Sequence, residues 1–457
     1  MDFFAAPAMA NEKSPQMMAG LKRFLWLWLP PLGIFLAGLK RAFLTGQADP
    51  WDWGWPAALL LAGAGLLLSR RGWPMQAWVA LGGVGMALIF CTLAAARAPD
   101  QLAAVGLLAV ALLAIFGGAL LMPGRHEAGT YEAFPGPGQG PVATVELDPG
   151  LRRGTETGRF VSISAGIGLL TLAALLLWRG PTQPVQPVPD RPNLAVITGL
   201  PLFWGEAGRG GPRDAPIVTL LRTRFAVTPL DDPLQLKASG ARRLLLAQPR
   251  ALAPAQLVAI DQWVRDGGTA LVLADPLLRW PSDLPLGDRR RAPAASLLQP
   301  LLGHWGFRSS VIKSEEIRHF ANDGMLITLS GMRAYPTAEK DGIVQRKQMG
   351  QGAALVMGDA DPIDDRLWLA DPAHPLDPRY WVADMPALLV HWLGGGAISG
   401  DRRWMRDSRD VTRAIRWALL AGTIWAMMGA MAFRRERRVF SPGTEKEHGG
   451  VKDNKSG

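Results

Sequence analysis

ALAPAQLVAIDQWVRDGGTALVLADP, residues 251–276, sets a helix directly against a strand. Pro254 fits the first turn of an amphipathic helix, where a missing N–H costs nothing, and Gly267 and Gly268 stop it. TALVLADP then runs apolar without alternating, as a strand does when both its faces are covered. The same alternation extends outward in both directions. NLAVITGL (193–200) and RRLLLAQP (242–249) read as further buried strands, with helices predicted over 215–224 and 294–305. MLITLSGMRAY (325–335) and DGIVQRKQMGQGAALVMGD (341–359) read as a hairpin feeding a final central strand, and DMPALLVHWLGG (384–395) as a closing helix. Buried strands separated by helices predict an α/β domain around a mostly parallel sheet over residues 193–396.

The rest of the chain is of another kind. Of 457 residues 49% are hydrophobic and the mean hydropathy is +0.11, so membrane segments are sought first. Six apolar stretches stand out: 24–44, 54–68, 73–96, 102–122, 160–178 and 415–433. About 20 residues cross the hydrocarbon, so most suffice. The second is short and the first is interrupted by Pro30 and Pro31, so a tilt, a kink or a re-entrant path is open for both. The first stretch also carries a basic flank compatible with a signal peptide, although its late start favours an uncleaved anchor.

A net charge of +10 invites a nucleic-acid reading, but charges over 190–396 nearly balance and the excess flanks the apolar stretches. Lys22, Arg23, Arg70, Arg71, Arg125, Arg152, Arg153, Arg159, Arg434, Arg435, Arg437 and Arg438 then mark a cytoplasmic side, as the positive-inside rule requires. Both termini fall inside a bacterial inner membrane and the α/β domain in the periplasm. Trp51, Trp53, Trp55 and Trp178 are expected at the outer interface. Two features oppose this topology: Lys40 with Arg41, and DRRWMRDSRDVTRAIRW (401–417), which puts Arg402, Arg403, Arg406, Arg409, Arg413 and Arg416 outside.

Residues 1–122 thus form a four-span region whose LAGAGLLL and VALGGVGMAL segments suit close helix approach. Residues 123–159 are a Gly- and Pro-rich cytoplasmic loop, with one short strand expected at PVATVEL, and 160–178 a fifth span. A Pro-rich linker (179–192) leads to the α/β domain. A basic segment and sixth span (397–433) and a basic tail (434–457) follow. The single cysteine, Cys91, lies inside the third span and is expected to serve packing.

Two strands end alike, in Asp275-Pro276 and in Asp359-Ala360-Asp361-Pro362. Carboxyl ends of parallel strands line the crevice where ligands bind, so Asp275, Asp359 and Asp361 are the ligand-crevice candidates, for a cation or a polar group. The plainer alternative is that each Asp starts a turn by accepting backbone N–H bonds and Pro stops the strand. Asp364 and Asp365 read as solvated loop or helix-start charges. His304 and His391 are expected at the core edge beside Trp305 and Trp392, and His319 and His374 in loops. Arg289, Arg290 and Arg291 read as a solvated face. No Walker A loop, dinucleotide glycine fingerprint, nucleophile elbow or zinc-helix spacing is present, so neither a cofactor nor a catalytic residue is assigned.

LAPAQLVAIDQWVRDGGTALVLADP, SLLQPLLGHWGFR, GQGAALVMGDADPIDD and DMPALLVHWLGGG, in that order, resemble the successive motifs of membrane-anchored domains of unknown function. Those domains belong to the class I glutamine amidotransferase-like superfamily and are related to GldG-type auxiliary components of ABC transporters. The resemblance covers residues 193–396 and implies a flavodoxin-like three-layer sheet outside the cytoplasm. Active amidotransferases use a Cys on a sharp strand-to-helix turn; here that turn carries Asp275 and Pro276, and the domain has no Cys. Pro there also lacks the N–H an oxyanion hole would use. The resemblance therefore implies a non-catalytic module that binds a partner or envelope ligand, a companion of a transporter or a MoxR-type ATPase. The lipid bilayer and protein partners are expected, and nucleic acid is not. A cation-dependent hydrolase using the three aspartates is the alternative.

Overall fold

The computed structural model describes residues 13–122, 149–204, 213–285, 287–308, 316–321, 324–330, 343–398 and 402–434. The strand expected at PVATVEL and the tail beyond residue 434 lie outside the described residues.

The membrane-like part is built from α1 (Lys13–Thr45), α2 (Gly54–Leu67), α3 (Trp73–Ala95), α4 (Gln101–Leu121) and α5 (Pro149–Arg179). Among the described residues five helices are long and apolar enough to cross a membrane, four of these and one near the C-terminus. The second apolar stretch falls short. At about 1.5 Å per residue, the 14 residues of α2 cover roughly 21 Å against about 30 Å of hydrocarbon. The interruption expected at Pro30 and Pro31 does not occur, since α1 continues through both. The two missing N–H groups release only the carbonyls of Trp26 and Leu27. On α3, Gly82 leaves room for the Trp425 ring and, beside it, for Pro31, because a Cβ there would stand 2.9 Å from the one and 3.3 Å from the other.

Small residues set the remaining approaches, as expected. A Cβ on Gly65 of α2 would fall on the Ile115 carbonyl of α4, and one on Gly118 of α4 on the Ala62 carbonyl of α2. Cys91 is buried in α3. Of the tryptophans expected at the interface, Trp178 and Trp55 are exposed (81% and 49%), but Trp53 is fully buried and donates Nε1 to the Phe35 carbonyl at 3.1 Å. It is a core residue, because a Cβ on Gly38 would meet its ring and glycine there opens the space that the indole fills.

The α/β lobe begins with β1 (Asn193–Thr198), α6 (Pro216–Leu221), β2 (Ala226–Pro229), β3 (Arg243–Ala247), α7 (Pro254–Arg265) and β4 (Thr269–Leu273). It continues with α8 (Gln299–His304), β5 (Glu316–Phe320), β6 (Leu326–Ser330), β7 (Val344–Met349) and β8 (Gly352–Met357), and closes with α9 (Asp365–Trp368) and α10 (Met385–Trp392). Among the described residues six strands form one sheet in the order β2-β1-β3-β4-β8-β7. All neighbours are parallel except the hairpin β7–β8. Alternate residues feed opposite cores: Leu194, Val196, Leu245 and Leu271 meet α6 and α10, while Ala195, Ile197, Leu246 and Val272 meet α7 and α8. The lobe is therefore three-layered.

Three expectations are corrected. β6 does not join the hairpin before the last strand; it pairs antiparallel with β5 in a separate two-stranded sheet. The helix expected over 294–305 shrinks to α8, whose Pro-containing first turn cannot be extended backwards, and the one expected over 215–224 shrinks to α6, after which Thr223 N and Arg224 N close tight turns on the Leu220 and Leu221 carbonyls, both at 2.9 Å.

The last helix, α11 (Ser408–Ala432), returns to the bundle. Ala414, Ala418, Gly422, Ala426 and Gly429 form its buried stripe against α3 and α1. Trp425 and Trp78 stack at 4.1 Å, and each indole N–H donates to the other's carbonyl, at 2.9 and 3.1 Å.

Candidate functional site

β4 and β8 are neighbours in register, Leu273 opposite Met357, so the turns that follow them meet. Asp275, Asp359 and Asp361 are all buried there, with carboxylate oxygens within 4.8 Å of one another. The sequence placed these three at one sheet edge, and the structure brings them together. Each oxygen has a backbone partner. Asp275 accepts from Leu277 N (2.7 Å) and Ala360 N (3.1 Å), and Asp359 from Ser330 N (2.5 Å) and Asp361 N (2.9 Å). Asp361 accepts Arg279 N on both oxygens at 3.0 Å. The cluster thus ties the turns after β4, β6 and β8 into one knot.

Burial dominates its electrostatics. Loss of solvent, and after it the Asp275 carboxylate, pushes Asp359 up to about 9. Burial, and then Asp275, lifts Asp361 to about 7. Asp275 is also raised by burial, and its side chain hydrogen-bonds Asp359. Two adjacent carboxyl groups held this way share one proton, since both cannot ionise at small separation. Such a set can trade that proton for a cation, or keep it as a structural hydrogen bond.

The sheet's order reverses between β1 and β3, and the buried side chain at that switch point is Gln248, which the sequence reading missed. Its Oε1 accepts Asp275 N at 3.0 Å, and its Nε2 donates to the carbonyls of Pro293 (2.9 Å) and Asp275 (3.2 Å). Its backbone is left-handed, φ 43°. One polar residue closing LLLAQP carries no signal that separates it from any strand end.

Other sequence candidates do not join the site. Asp364 is buried, not solvated, because it caps α9 through Arg366 N (3.1 Å) and pairs with the Arg366 guanidinium. His304 and His391 face solvent, not the core edge, because their helices turn Trp305 and Leu389 inward. His304 stands 3.6 Å from Asp261. His319 is in β5, not in a loop, and His374 stacks on Tyr380 at 4.7 Å. Arg290 pairs with Asp288 at 2.8 Å and Arg291 donates to the Leu284 carbonyl at 3.1 Å, so the basic run stabilises its own loop.

A second constellation joins the lobe to the bundle. Asp384, buried at the start of α10, receives Arg402 Nε (2.6 Å) and Nη2 (2.5 Å), the Trp404 indole N–H, and Leu326 N (2.7 Å). Arg402 also lies 4.6 Å over the Trp381 ring. Gln47, just after α1, donates Nε2 to the carbonyls of Pro378 (3.0 Å) and Trp381 (2.8 Å). Arg403 Nε reaches the Ala98 carbonyl (3.0 Å) and Arg406 Nε the Ala95 carbonyl (3.2 Å), both at the end of α3. Arg41 pairs with Asp52 at 3.0 Å and lies 5.6 Å from the Tyr380 ring. Half of the eight basic residues that opposed the expected topology, Arg41, Arg402, Arg403 and Arg406, are thus held at the junction. Its signal in the sequence was that conflict.

Comparison with known proteins adds one positive finding. Residues 191–311 match the family model described as an ABC-type uncharacterized transport system. No curated protein matches the chain. Solved structures with partial likeness include the GH42 β-galactosidase Gan42B of G. stearothermophilus, 13% identical over 45% of this chain and 31% of that one, TM-score 0.24. The β-galactosidase of Rahnella sp. R3 is 13% identical over 49% and 35%, TM-score 0.25. The exo-β-1,4-mannosidase Op5Man5 of Opitutaceae bacterium strain TAV5 is 11% identical over 56% and 44%, TM-score 0.24. This chain spans less than half the length of each, and scores at this level define no shared fold. The family match and the membrane-length helices fit a transport-associated membrane protein.

Proposed function

We propose that this chain is a membrane-anchored, non-catalytic component of an envelope transport assembly, whose lobe sits on the periplasmic face and binds a protein partner or envelope ligand. The observation that carries the proposal is the match of residues 191–311 to a transport-system family within a chain holding five membrane-length helices. Two further features support it. Arg70, Arg71 and Arg434 lie at turns and a helix end away from the lobe, with Lys22 and Arg23 in the first third of α1, whereas residues 45–54, 95–103 and 402–408 adjoin the lobe; the positive-inside rule assigns the former side to the cytoplasm, against the pull of Arg41, Arg402, Arg403 and Arg406 on the lobe side. The parallel strands run second, first, third, fourth, fifth, the flavodoxin-like order that an amidotransferase-like domain would use. In this reading the aspartates brace the crevice and the ligand meets its rim. Affinity capture of the full chain in mild detergent tests it. Permease or ATPase subunits should accompany the chain above an unrelated membrane bait, and recovery of the chain alone under cross-linking would count against the proposal.

The convergence of Asp275, Asp359 and Asp361 favours one second reading, a cation-dependent hydrolase. It predicts a stoichiometric divalent metal in the purified chain that is lost in Asp361→Asn. Metal at background level in both proteins would dispose of it.

A further inference from the structure

The six arginines of residues 402–416 divide into two sets. Arg402, Arg403 and Arg406 reach the lobe or the end of α3. Arg409, Arg413 and Arg416 turn outward, at helical spacings of four and three, and all are exposed. Arg413 pairs with Asp410 at 2.7 Å. Arg409 and Arg416 form no hydrogen bond or ion pair with the described residues. Asp407, the other nearby acid, is occupied as the cap of α11, accepting Asp410 N at 2.7 Å. With Ser408, Thr412 and Trp417 these arginines line an open depression of about 520 Å³.

The same outward face becomes apolar one turn later. Trp417, Leu420, Ile424, Met427 and Met431 are exposed (54%, 48%, 48%, 52% and 64%), while the opposite stripe packs on the bundle. A face that is basic and then apolar along one membrane-length helix matches the layers of a bilayer. From Arg409 to Arg416 the axis rises roughly 10 Å, close to the headgroup layer on one side of the hydrocarbon. Guanidinium groups at that depth bind phosphate oxygens in a planar fork, and Arg suits this better than Lys.

We infer that Arg409, Arg413 and Arg416 form a binding site for the phosphate of an anionic phospholipid headgroup in the bilayer around α11. The lipid neutralises the excess basic charge that sets this helix against the positive-inside rule, so the helix can hold the lobe side outward. The inference rests on α11 crossing the membrane. That premise has its own readout, since an impermeant maleimide should reach Ser408→Cys and Phe433→Cys, at the two ends of α11, from opposite sides of the membrane whether or not lipid is selected.

Native mass spectrometry of the full chain, exchanged in detergent against equal phosphatidylglycerol and phosphatidylcholine, tests the site. At about fivefold per interfacial arginine, the wild type should retain phosphatidylglycerol at least roughly tenfold over phosphatidylcholine. Arg409→Gln/Arg413→Gln/Arg416→Gln should lose most of that preference. Lys237→Gln/Arg242→Gln/Arg346→Gln, which removes as much charge from the lobe, should keep it, and soluble glycerophosphoglycerol should compete poorly. No preference in the wild type, or one untouched by the α11 variant, overturns the inference. So does loss of an acidic partner protein from the α11 variant with lipid retention unchanged, which would assign the face to that protein.

Discussion

Asp384 and Asp359 are both buried carboxyl groups, and they answer to different partners. Asp384 compensates a buried guanidinium, so Asp384→Ala strands Arg402 among apolar neighbours. Breaking such a pair costs about 3–5 kcal/mol, and the chain should melt well below the wild type and become open to protease near residue 402. An unchanged melting curve would show that the pair is not buried in solution. Asp359 and Asp361 titrate above their unfolded values, so the folded lobe keeps protons that the unfolded chain releases. Their contribution to stability is complete below about pH 4 and is lost as pH rises through about 7 for Asp361 and about 9 for Asp359. Thermal melts should therefore fall between pH 5 and pH 9, and Asp361→Asn should flatten the part near neutrality. The three aspartates were legible because Asp-Pro at two strand ends is local chemistry. Gln248 and Asp384 were not, since their roles depend on Pro293, Arg402 and Trp404, which lie 18 to 45 residues away in sequence.

Helices and strands came through the sequence unequally, for physical reasons. Strands β1, β3, β4 and β8 are continuous apolar runs and could be read directly. β2 and β5 could not, because AVTP ends in Pro and EIRHF is half exposed, so neither carries burial in its pattern. The break expected in α1 does not occur, because two successive prolines free only two carbonyls and the helix continues through both. Glycine sets the approach of α2 and α4, where backbone meets backbone. Gly65→Leu would place a side chain on the Ile115 carbonyl, which no rotamer change relieves. Overpacking of this kind costs roughly 1–3 kcal/mol or more. The variant should elute as aggregate or melt early in detergent, while Gly63→Leu on the same helix, with open space around it, should behave as wild type.

At the scale of the molecule, bundle and lobe are one latched unit. The chain enters the lobe after α5 and leaves it before α11, and Gln47, Arg402 and Arg403 close the gap between. The expected domain boundaries rest on shifts from apolar runs to Pro-rich and then alternating sequence. The latch was visible only as misplaced positive charge. The central claim is that this unit carries its lobe on the outer side of the membrane, where a transport partner would meet it. Cysteine labelling tests that claim most directly, because Cys91 is buried and is replaced by Ser for the assay. On intact cells made permeable only at the outer membrane, an impermeant maleimide should modify Ala238→Cys on the lobe and leave Arg71→Cys, in the turn between α2 and α3, unlabelled until the inner membrane is opened. Labelling of Arg71→Cys with protection of Ala238→Cys would contradict the account.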